Sequence, residues 1–235
     1  MKLLIFGATG MVGQGVFLEC IRNSDVELIV TVGRTPAGEP VAELLRLLGL
    51  PDSKLREIVH PNLADLSAIE TELAGFDACF FTLGVSSGGM NEADYDRITY
   101  GLTLAAGQTL SRINPGMTFI YVSGAGTDST EKGGVMWARV KGRTENALLR
   151  LRLSAFMFRP GIIQPLDGIK SKTTAYRIGY TLMKPLLPLL HWALPNQVLS
   201  TREIGQAMLA VAKRGYGNRV LETRDIRAAI SAASR

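Results

Sequence analysis

Three glycines near the start of the chain have the spacing of a turn that binds phosphate groups. The segment Gly7–Gly13 reads GATGMVG, follows the short apolar run Lys2–Phe6 and precedes a helical pattern that extends to about Arg22. A buried strand, a glycine turn and a helix N-terminus in this order hold the pyrophosphate of a dinucleotide, because the first N–H groups and the dipole of the helix favour anions. The residues expected to contact such a cofactor are Gly7, Thr9, Gly10, Met11, Val12 and Gly13.

Each of the three glycines has a separate physical reason to lack a side chain. Gly7 lets the chain turn sharply off the strand, Gly10 lets the backbone approach a pyrophosphate, and Gly13 lets the first helix pack close to the sheet. The spacing is G-x-x-G-x-x-G rather than the more common G-x-G-x-x-G. A plain tight turn is the alternative interpretation, and the strand before and the helix after the turn favour the dinucleotide.

The end of the second predicted strand selects between NAD and NADP. NAD-binding chains commonly place an Asp or Glu there, which holds the ribose 2′-hydroxyl. This chain has no carboxylate in the stretch VTVGRT and places Arg34 at that position. A guanidinium suits a 2′-phosphate, so the sequence predicts NADP, with NAD less favoured. An ordinary surface arginine is the competing interpretation.

Two further segments have positions suited to the same cofactor. Asp65 follows the third predicted strand, where it could accept a hydrogen bond from an adenine amino group or act as a helix N-cap, and both readings stay open. Leu83 and Gly84 follow the fourth strand. A glycine-bearing turn there would let the backbone pass beside the cofactor ribose, whereas a simple flexible loop is the alternative.

The ordered set of these features resembles the short-chain dehydrogenase/reductase superfamily, and within it the atypical extended branch of NAD(P)-binding epimerase/dehydratase-like proteins. A closer similarity is to the subgroup of the NADPH-binding Tat-interacting protein. The resemblance covers roughly residues 1–165 and the tail only in outline. The residues that carry it are Gly7–Gly13, Asp65-Leu66, Ser123–Gly126, Val140-Lys141-Gly142, Glu145 and Arg159-Pro160-Gly161.

The resemblance implies a catalytic Ser, Tyr and Lys, with the last two spaced Y-x-x-x-K. By that carry-over Ser123 polarises the substrate oxygen and Lys141 holds the nicotinamide ribose and lowers the pKa of the acid/base. The tyrosine position is Trp137, whose indole donates a hydrogen bond but does not exchange protons near neutral pH. Trp137 could still stack on a nicotinamide or substrate ring, or pack at the start of its helix.

Other tyrosines are candidate replacements for the missing acid/base. Tyr121 lies two residues before Ser123 and therefore on the same strand face, and Tyr100 lies in the long fourth helix that borders the cofactor in this fold. Tyr176 and Tyr180 lie in the tail, where they could contact substrate. Core or surface packing is the simpler interpretation of all four.

Composition excludes several other classes. The net charge of +5 is modest and dispersed, which argues against nucleic acid as a partner. The two cysteines, Cys20 and Cys79, fall in predicted core elements, so buried thiols and a cytoplasmic, reducing location are expected. His60 and His191 lack metal-ligand companions, and no metal site is predicted. Lys184 and prolines interrupt the longest apolar stretch, which argues against a membrane span.

Apolar runs alternate with helical patterns through residues 1–160, which predicts an α/β fold with a parallel sheet covered on both faces. Right-handed crossovers favour the doubly wound Rossmann order 3-2-1-4-5-6. A single domain over 1–235 is expected, in which roughly 160–235 is a small helical lid or substrate extension. In that tail a capping box of Ser200 with Glu203 predicts the start of a helix that extends to about Lys213, and a last strand is expected at Arg219–Glu222. The segment Tyr176–Leu194 is expected to form a lid or an oligomer contact. A homodimer is the oligomer considered.

Two functional classes follow from these residues. One is an oxidoreductase or nucleotide-sugar epimerase-like enzyme that acts on a small molecule with an altered acid/base arrangement. The other is an NADP(H)-binding regulatory or scaffold protein without turnover. Trp137 favours the second class, and Ser123 with Lys141 favours the first. The substrate lies beyond what the sequence predicts, because loops and tail determine specificity.

Overall fold

The computed structural model describes residues 1–36, 38–169 and 197–231. Nine strands occur in these residues: β1 (Lys2–Phe6), β2 (Leu28–Gly33), β3 (Leu55–Val59), β4 (Ala78–Phe81), β5 (Thr118–Val122), β6 (Ser154–Arg159), β7 (Ile162–Gln164), β8 (Val198–Ser200) and β9 (Val220–Glu222). Seven of them form one parallel sheet in the order β3-β2-β1-β4-β5-β6-β9. The predicted Rossmann order 3-2-1-4-5-6 is therefore confirmed, with β9 added at one edge.

Helices cover both faces of this sheet. In the described residues they are α1 (Met11–Arg22), α2 (Gly38–Leu48), α3 (Glu92–Asp96), α4 (Leu102–Ile113), α5 (Met136–Leu149), α6 (Thr201–Arg214) and α7 (Thr223–Ser231). The segment predicted as a short helix at 66–74 is a 3-10 helix, Ser67–Leu73. The helix predicted over 92–113 is interrupted by a π-helical turn, Arg97–Gly101. A π turn admits one extra residue without breaking the helix, so residue periodicity alone did not reveal it.

Alternation along the strands divides the core into two halves. In β1, Leu3 and Ile5 point to the face covered by α1 and α6, whereas Leu4 and Phe6 point to the opposite face. All four side chains are fully or almost fully buried. Both faces of the strand are therefore apolar, which explains why β1 reads as a continuous hydrophobic run.

Helices α1 and α6 cross closely because each helix places a glycine against the other, Gly15 in α1 and Gly205 in α6. A Cβ on Gly15 would lie 2.4 Å from the Cβ of Thr201, and a Cβ on Gly205 would lie 2.9 Å from the Cβ of Glu19. The predicted capping box is present at the start of α6, where Ser200 Oγ accepts from the Glu203 N–H at 3.1 Å and Glu203 Oε2 accepts from the Ser200 N–H at 2.7 Å. Helix α6 thus packs the C-terminal part of the chain against α1 of the first βα unit.

The tail differs in one respect from its prediction. The expected last strand is present as β9, but β7 and β8 also pair in parallel as a separate two-stranded sheet that no pattern indicated. Strands of three residues are too short for alternation to be recognised. The predicted lid Tyr176–Leu194, with Tyr176 and Tyr180, lies outside the described residues. No helix in the described part of the chain is long and apolar enough to cross a membrane.

Candidate functional site

The glycine turn connects β1 to α1 at the carboxyl edge of the sheet. Gly7 has φ +87°, a conformation that favours glycine, and a Cβ there would lie 2.5 Å from the backbone N of Leu83. A Cβ on Gly13 would lie 2.1 Å from the Gly7 carbonyl oxygen. Gly7 and Gly13 are therefore required by the packing of the turn itself.

Gly10 differs from its two neighbours. It has φ −79°, donates its N–H to the Gly7 carbonyl at 3.0 Å, and a Cβ there would approach only that oxygen, at 3.3 Å. Folding therefore tolerates a side chain at this position far better than at Gly7 or Gly13. A glycine at this position leaves the backbone of the turn open to close approach from outside the protein.

The start of α1 is open to an anion. Gly10 is its N-cap and supplies no side-chain cap, and the first turn carries no acidic residue. The N–H groups of Met11 and Val12 have no partner within the helix, as at any helix start. Gln14 Nε2 donates to the Thr9 carbonyl at 3.0 Å, which holds the turn in place beneath these N–H groups. The result is a preformed group of donors at the positive end of the helix dipole.

A pocket opens beside this turn at the carboxyl ends of β1, β2 and β3. It is lined by Gly7 and Thr9, by the segment 31–35, by Leu83 and by Glu57 and Leu63. The structure thus brings together the predicted residues Gly7, Thr9, Arg34 and Leu83. Arg34 is exposed, and no described residue forms an ion pair or hydrogen bond with its guanidinium.

Glu57 is the pocket residue that sequence reasoning missed. It comes from β3, where it pairs in register with Thr31 of β2. The pocket therefore carries a carboxylate as well as the Arg34 guanidinium. The only signal in the sequence was a charged residue inside a predicted strand, which is ordinary at a sheet edge.

Asp65 caps a local turn in this structure. Its Oδ1 accepts a hydrogen bond from the backbone N–H of Ser67 at 3.0 Å, at the start of the 3-10 helix. The hydrogen bonds from Ser67, chiefly the backbone one, hold the pKa of the Asp65 carboxyl below its usual range. One of the two open readings was a helix N-cap, but the N-cap of the 3-10 helix is Leu66, and Asp65 caps the turn immediately before it. Contact with an adenine stays a prediction. Gly84, which follows β4, would have nothing within 4 Å of a Cβ, so packing does not require glycine there.

The second part of the candidate site lies where β5 ends against α5. The structure brings Ser123, Trp137 and Lys141 together there. Lys141 Nζ donates to the backbone carbonyl of Ser123 and lies 5.7 Å from the centroid of the Trp137 ring. Burial lowers the pKa of Lys141 to about 8, and Glu145 offsets part of that effect. The ring of Trp137 in turn packs over Gly126, where a Cβ would lie 3.4 Å from Cη2.

The Ser123 hydroxyl points into the protein. It donates to Glu145 Oε1 and lies 3.2 Å from the Phe158 carbonyl, and the residue is only 3% exposed. Glu145 is itself fully buried and accepts from Arg159 Nε at 3.0 Å. The hydroxyl is thus part of a buried polar network that joins β5, α5 and β6. The ion pair between Glu145 and Arg159 was not predicted, although both residues carry the family resemblance.

The two described candidate tyrosines have different surroundings. Tyr121 is 1% exposed within the core, and burial raises its pKa above the usual range, with nearby Tyr95 and Glu145 adding to the effect. A phenol in that position does not exchange protons with a substrate near neutral pH. Tyr100 lies half-buried in the π-helical turn, with the Arg143 guanidinium 4.5 Å from its ring centroid. A π turn often marks a functional position, so Tyr100 stays a candidate.

The loop at 124–135 is held against α5 by its own hydrogen bonds. Asp128 accepts from the N–H groups of Thr130 at 2.9 Å and Gly133 at 2.7 Å. A Cβ on Gly142 would lie 1.7 Å from the Asp128 carbonyl oxygen, so a glycine in α5 is what lets the loop approach. The loop thereby holds Gly126 in the position against which the Trp137 ring packs. The described residues contain no group of three or more His, Cys, Asp or Glu that could hold a metal ion.

Comparison with known proteins gives structural matches only. No protein-family model matches the sequence, and no curated protein matches it in a sequence search. The yeast methylglyoxal/isovaleraldehyde reductase Gre2, complexed with NADPH, matches with a TM-score of 0.67 and 11% identity over 94% of this chain and 78% of its own. The UDP-glucuronic acid 4-epimerase of Bacillus cereus, in complex with NAD, matches with a TM-score of 0.66 and 14% identity over 94% and 77%.

A third match spans both chains almost completely. A putative NAD-dependent epimerase/dehydratase from Bacillus halodurans has a TM-score of 0.64 and 17% identity over 99% of each chain. Identities at this level show the fold. Together with the strand order and the glycine turn, these matches confirm the fold that the resemblance in the sequence implied. The chain therefore has the Rossmann-type fold of the NAD(P)-binding epimerases, dehydratases and short-chain reductases.

Proposed function

We propose that this protein binds NADP(H) at the carboxyl edge of its sheet. The observation that carries the proposal is the uncapped start of α1, which opens directly beside the pocket lined by Gly7, Thr9 and Arg34. The N–H groups of Met11 and Val12 suit a pyrophosphate, and the pocket lies where an adenosine would follow. The bound dinucleotides of the yeast reductase and the Bacillus cereus epimerase, NADPH and NAD, support a cofactor of this kind.

The choice of NADP over NAD rests on Arg34. Its guanidinium lines the pocket without a described partner, and it can form charge-assisted hydrogen bonds with a 2′-phosphate. Glu57 lines the same pocket and opposes a second negative charge. We expect Arg34 to dominate, because it directly follows β2, where the adenosine ribose of a Rossmann cofactor lies.

The bound cofactor would supply hydride transfer, and the residues at the end of β5 would position the reactants. Lys141 has a donor group that suits ribose hydroxyls, and the flat ring of Trp137 suits stacking against a planar ring. We propose a slow oxidoreductase or epimerase-like activity on a small carbonyl compound or nucleotide sugar. The activity is slow because an indole replaces the proton-exchanging phenol.

A second candidate is a regulatory protein that binds NADP(H) without turnover. The burial of the Ser123 hydroxyl against Glu145 favours it, since a hydroxyl in that network is not directed at a substrate oxygen. The burial of Tyr121 favours it as well, because no phenol at that position replaces the missing acid/base. Both candidates require the same cofactor site.

Two measurements test these proposals. Calorimetric titration with NADPH and NADH tests the cofactor, and we expect NADPH to bind more tightly. Absence of binding to either dinucleotide would overturn the proposal as a whole. Cofactor oxidation with a panel of carbonyl compounds and nucleotide sugars then separates the slow enzyme from the regulatory protein, because only the enzyme consumes NADPH when substrate is added.

A further inference from the structure

Ser123 joins two parts of the candidate site through opposite ends of one residue. Its hydroxyl donates to Oε1 of Glu145, and its backbone carbonyl accepts from Nζ of Lys141. The Ser123 N–H is held as well, because it donates to the Phe158 carbonyl at 2.9 Å. Gly124 follows with φ +121°, so regular strand geometry does not continue past this carbonyl. The hydroxyl and the N–H of Ser123 therefore orient the carbonyl that Lys141 binds.

The Glu145 carboxylate is suited to hold this serine in place. It is buried, and Arg159 donates to it from Nε at 3.0 Å and also from Nη2. The guanidinium is fixed in turn, because Ser129 Oγ lies 2.5 Å from Nη2 and Glu222 Oε1 lies 3.3 Å from Nη1. Groups from β6, β9 and the loop at 124–135 thus restrict the carboxylate. An acceptor restricted in this way also restricts the hydroxyl that is bound to it.

Lys141 is positioned by Ser123 rather than by an acidic partner. In the described part of the chain no carboxylate forms an ion pair with Lys141, although Glu145 lies one turn further along α5. Burial lowers the pKa of Lys141 to about 8, and the charge of Glu145 opposes that shift. Glu145 therefore acts on Lys141 in two ways, through the position of Ser123 and through its charge.

We propose that Glu145 is the positioning residue of the candidate site: it fixes Ser123, and through the Ser123 carbonyl it sets where the Lys141 ammonium lies. The use of that ammonium, contact with the ribose of NADP(H), rests on the proposed function. Ser123 then acts without touching a substrate. A purely structural ion pair between Glu145 and Arg159 would stabilise the fold without any effect on Lys141.

Proton–carbon NMR of the lysine side chains tests this link without cofactor, and Lys141→Met assigns the signal by its loss. We expect the wild-type Lys141 signal to titrate with a midpoint near pH 8. Glu145→Gln keeps the size of the side chain and removes an anion that favours the ammonium, so the midpoint should fall by about one pH unit. Glu222→Gln is the matched control, because it removes the exposed carboxylate that also pairs with Arg159, and the midpoint should not change.

The same spectra report the position of the ammonium. The centroid of the Trp137 ring lies 5.7 Å from Nζ, so the ring current shifts the Hε signals of Lys141. Ser123→Ala removes the hydroxyl and keeps the backbone carbonyl and the Glu145 charge. We expect it to move these signals towards those of the exposed Lys132, and Glu145→Gln to do the same.

Calorimetric titration with NADP⁺ near pH 6 tests the consequence for the cofactor, because about nine-tenths of Lys141 or more stays charged in every variant there. We expect Glu145→Gln and Ser123→Ala each to weaken binding about five- to tenfold. In a Lys141→Met background each should change the Kd less than about twofold, since the ammonium that they position is gone. Glu222→Gln should bind as the wild type does. Circular dichroism checks folding, and Ser123→Ala decides the question if Glu145→Gln does not fold.

Hε signals of Lys141 that Ser123→Ala leaves unchanged would overturn the proposal, as would a Glu145→Gln midpoint that stays near pH 8. A loss of NADP⁺ affinity that is as large in the Lys141→Met background as in the wild type would also overturn it, because the effect would then be purely structural. Failure of the wild type to bind NADP⁺ would instead overturn the proposed function, and the NMR results would still decide whether Glu145 positions Lys141.

Discussion

Trp137 is the residue that most affects how fast this protein can turn over a substrate. It lies in the first turn of α5 and shares a helix face with Lys141, four residues later. An ammonium at that distance lowers the pKa of a neighbouring phenol, but it has no such effect on an indole. The amine is therefore in place without the acid/base that it would assist.

We predict that Trp137→Tyr creates measurable NADPH-dependent carbonyl reduction. General acid/base help typically contributes about 10²- to 10⁴-fold in rate, so even a poorly placed phenol should raise a slow background. Steady-state NADPH oxidation at pH 7 measures the gain, and Trp137→Phe is the control, because it changes size and keeps the proton donor absent. Rapid turnover by the wild type, unchanged in Trp137→Tyr, would place the proton donor elsewhere, with Tyr100→Phe as the next variant.

We predict that Arg34→Ala weakens NADPH binding and leaves NADH binding nearly unchanged. Loss of a charge-assisted hydrogen bond costs about 1.5–3 kcal/mol, or roughly 10- to 100-fold in Kd. Glu57→Gln should act in the opposite direction and tighten NADPH, because it removes a negative charge from the pocket. Isothermal titration measures both, with Arg224→Ala, an exposed arginine in α7, as the control. Equal weakening of the two cofactors by Arg34→Ala would remove Arg34 from the 2′-phosphate site.

At the scale of elements, the β1–α1 unit combines a packing requirement with a binding requirement. Gly13 lets α1 begin against the Gly7 carbonyl, whereas Gly10 keeps the outer surface of the turn free of side-chain atoms. The two glycines lie three residues apart in one motif, so the sequence does not distinguish their roles. The structure distinguishes their roles, because a Cβ would lie 2.1 Å from the nearest atom at Gly13 and 3.3 Å from it at Gly10.

We predict opposite outcomes for substitutions at these two glycines. Gly10→Val should fold with little loss of stability, because φ −79° is ordinary, and should abolish NADPH binding. Gly13→Ala should lower the free energy of unfolding by about 1–3 kcal/mol, because its Cβ would overlap the Gly7 carbonyl oxygen. Urea unfolding and NADPH titration of both variants check this. A folded Gly10→Val variant with normal affinity would show that the turn does not bind the pyrophosphate.

At the scale of the whole molecule, one buried ion pair ties the candidate site to the far edge of the sheet. The side chains of Arg159 and Glu145 are 11% and 1% exposed. Arg159 also reaches Glu222 of β9 with Nη1 at 3.3 Å, and the Ser123 hydroxyl donates to Oε1 of Glu145, the same oxygen that accepts from Arg159 Nε. The network therefore joins the end of β5, α5, β6 and β9 around the Glu145–Arg159 pair.

We predict that Glu145→Ala lowers the free energy of unfolding by about 3–5 kcal/mol, because the Arg159 guanidinium would lose its buried counter-charge and keep only the exposed Glu222 carboxylate. Glu222→Ala is the matched control, since it removes the other carboxylate that pairs with the same guanidinium. The Glu222 side chain is 52% exposed, so its loss should cost at most about 1 kcal/mol. Chemical denaturation of both variants measures the difference. Similar values for the two would mean that burial of the Glu145 pair is not what stabilises this region.

Local patterns in the sequence determined the topology of the sheet. The apolar run Lys2–Phe6, the glycine turn after it and the alternation of later strands and helices sufficed to predict the parallel order, and the capping box at Ser200 marked the start of α6. They sufficed because propensity, periodicity and capping depend on neighbours within a few residues. The same local signals placed Gly7, Thr9, Arg34 and Leu83 at one pocket, since parallel strands end at a common edge.

The tertiary structure alone decided which way the key side chains point and what they contact. Ser123 meets Glu145 across 22 residues of sequence and Phe158 across 35, so its hydroxyl is buried rather than open to a substrate. Glu57 enters the pocket only because β3 lies beside β2. Such contacts depend on the three-dimensional packing of elements that are distant in the chain. A pattern of residue types does not show which side chains will be in contact when those side chains come from distant parts of the chain.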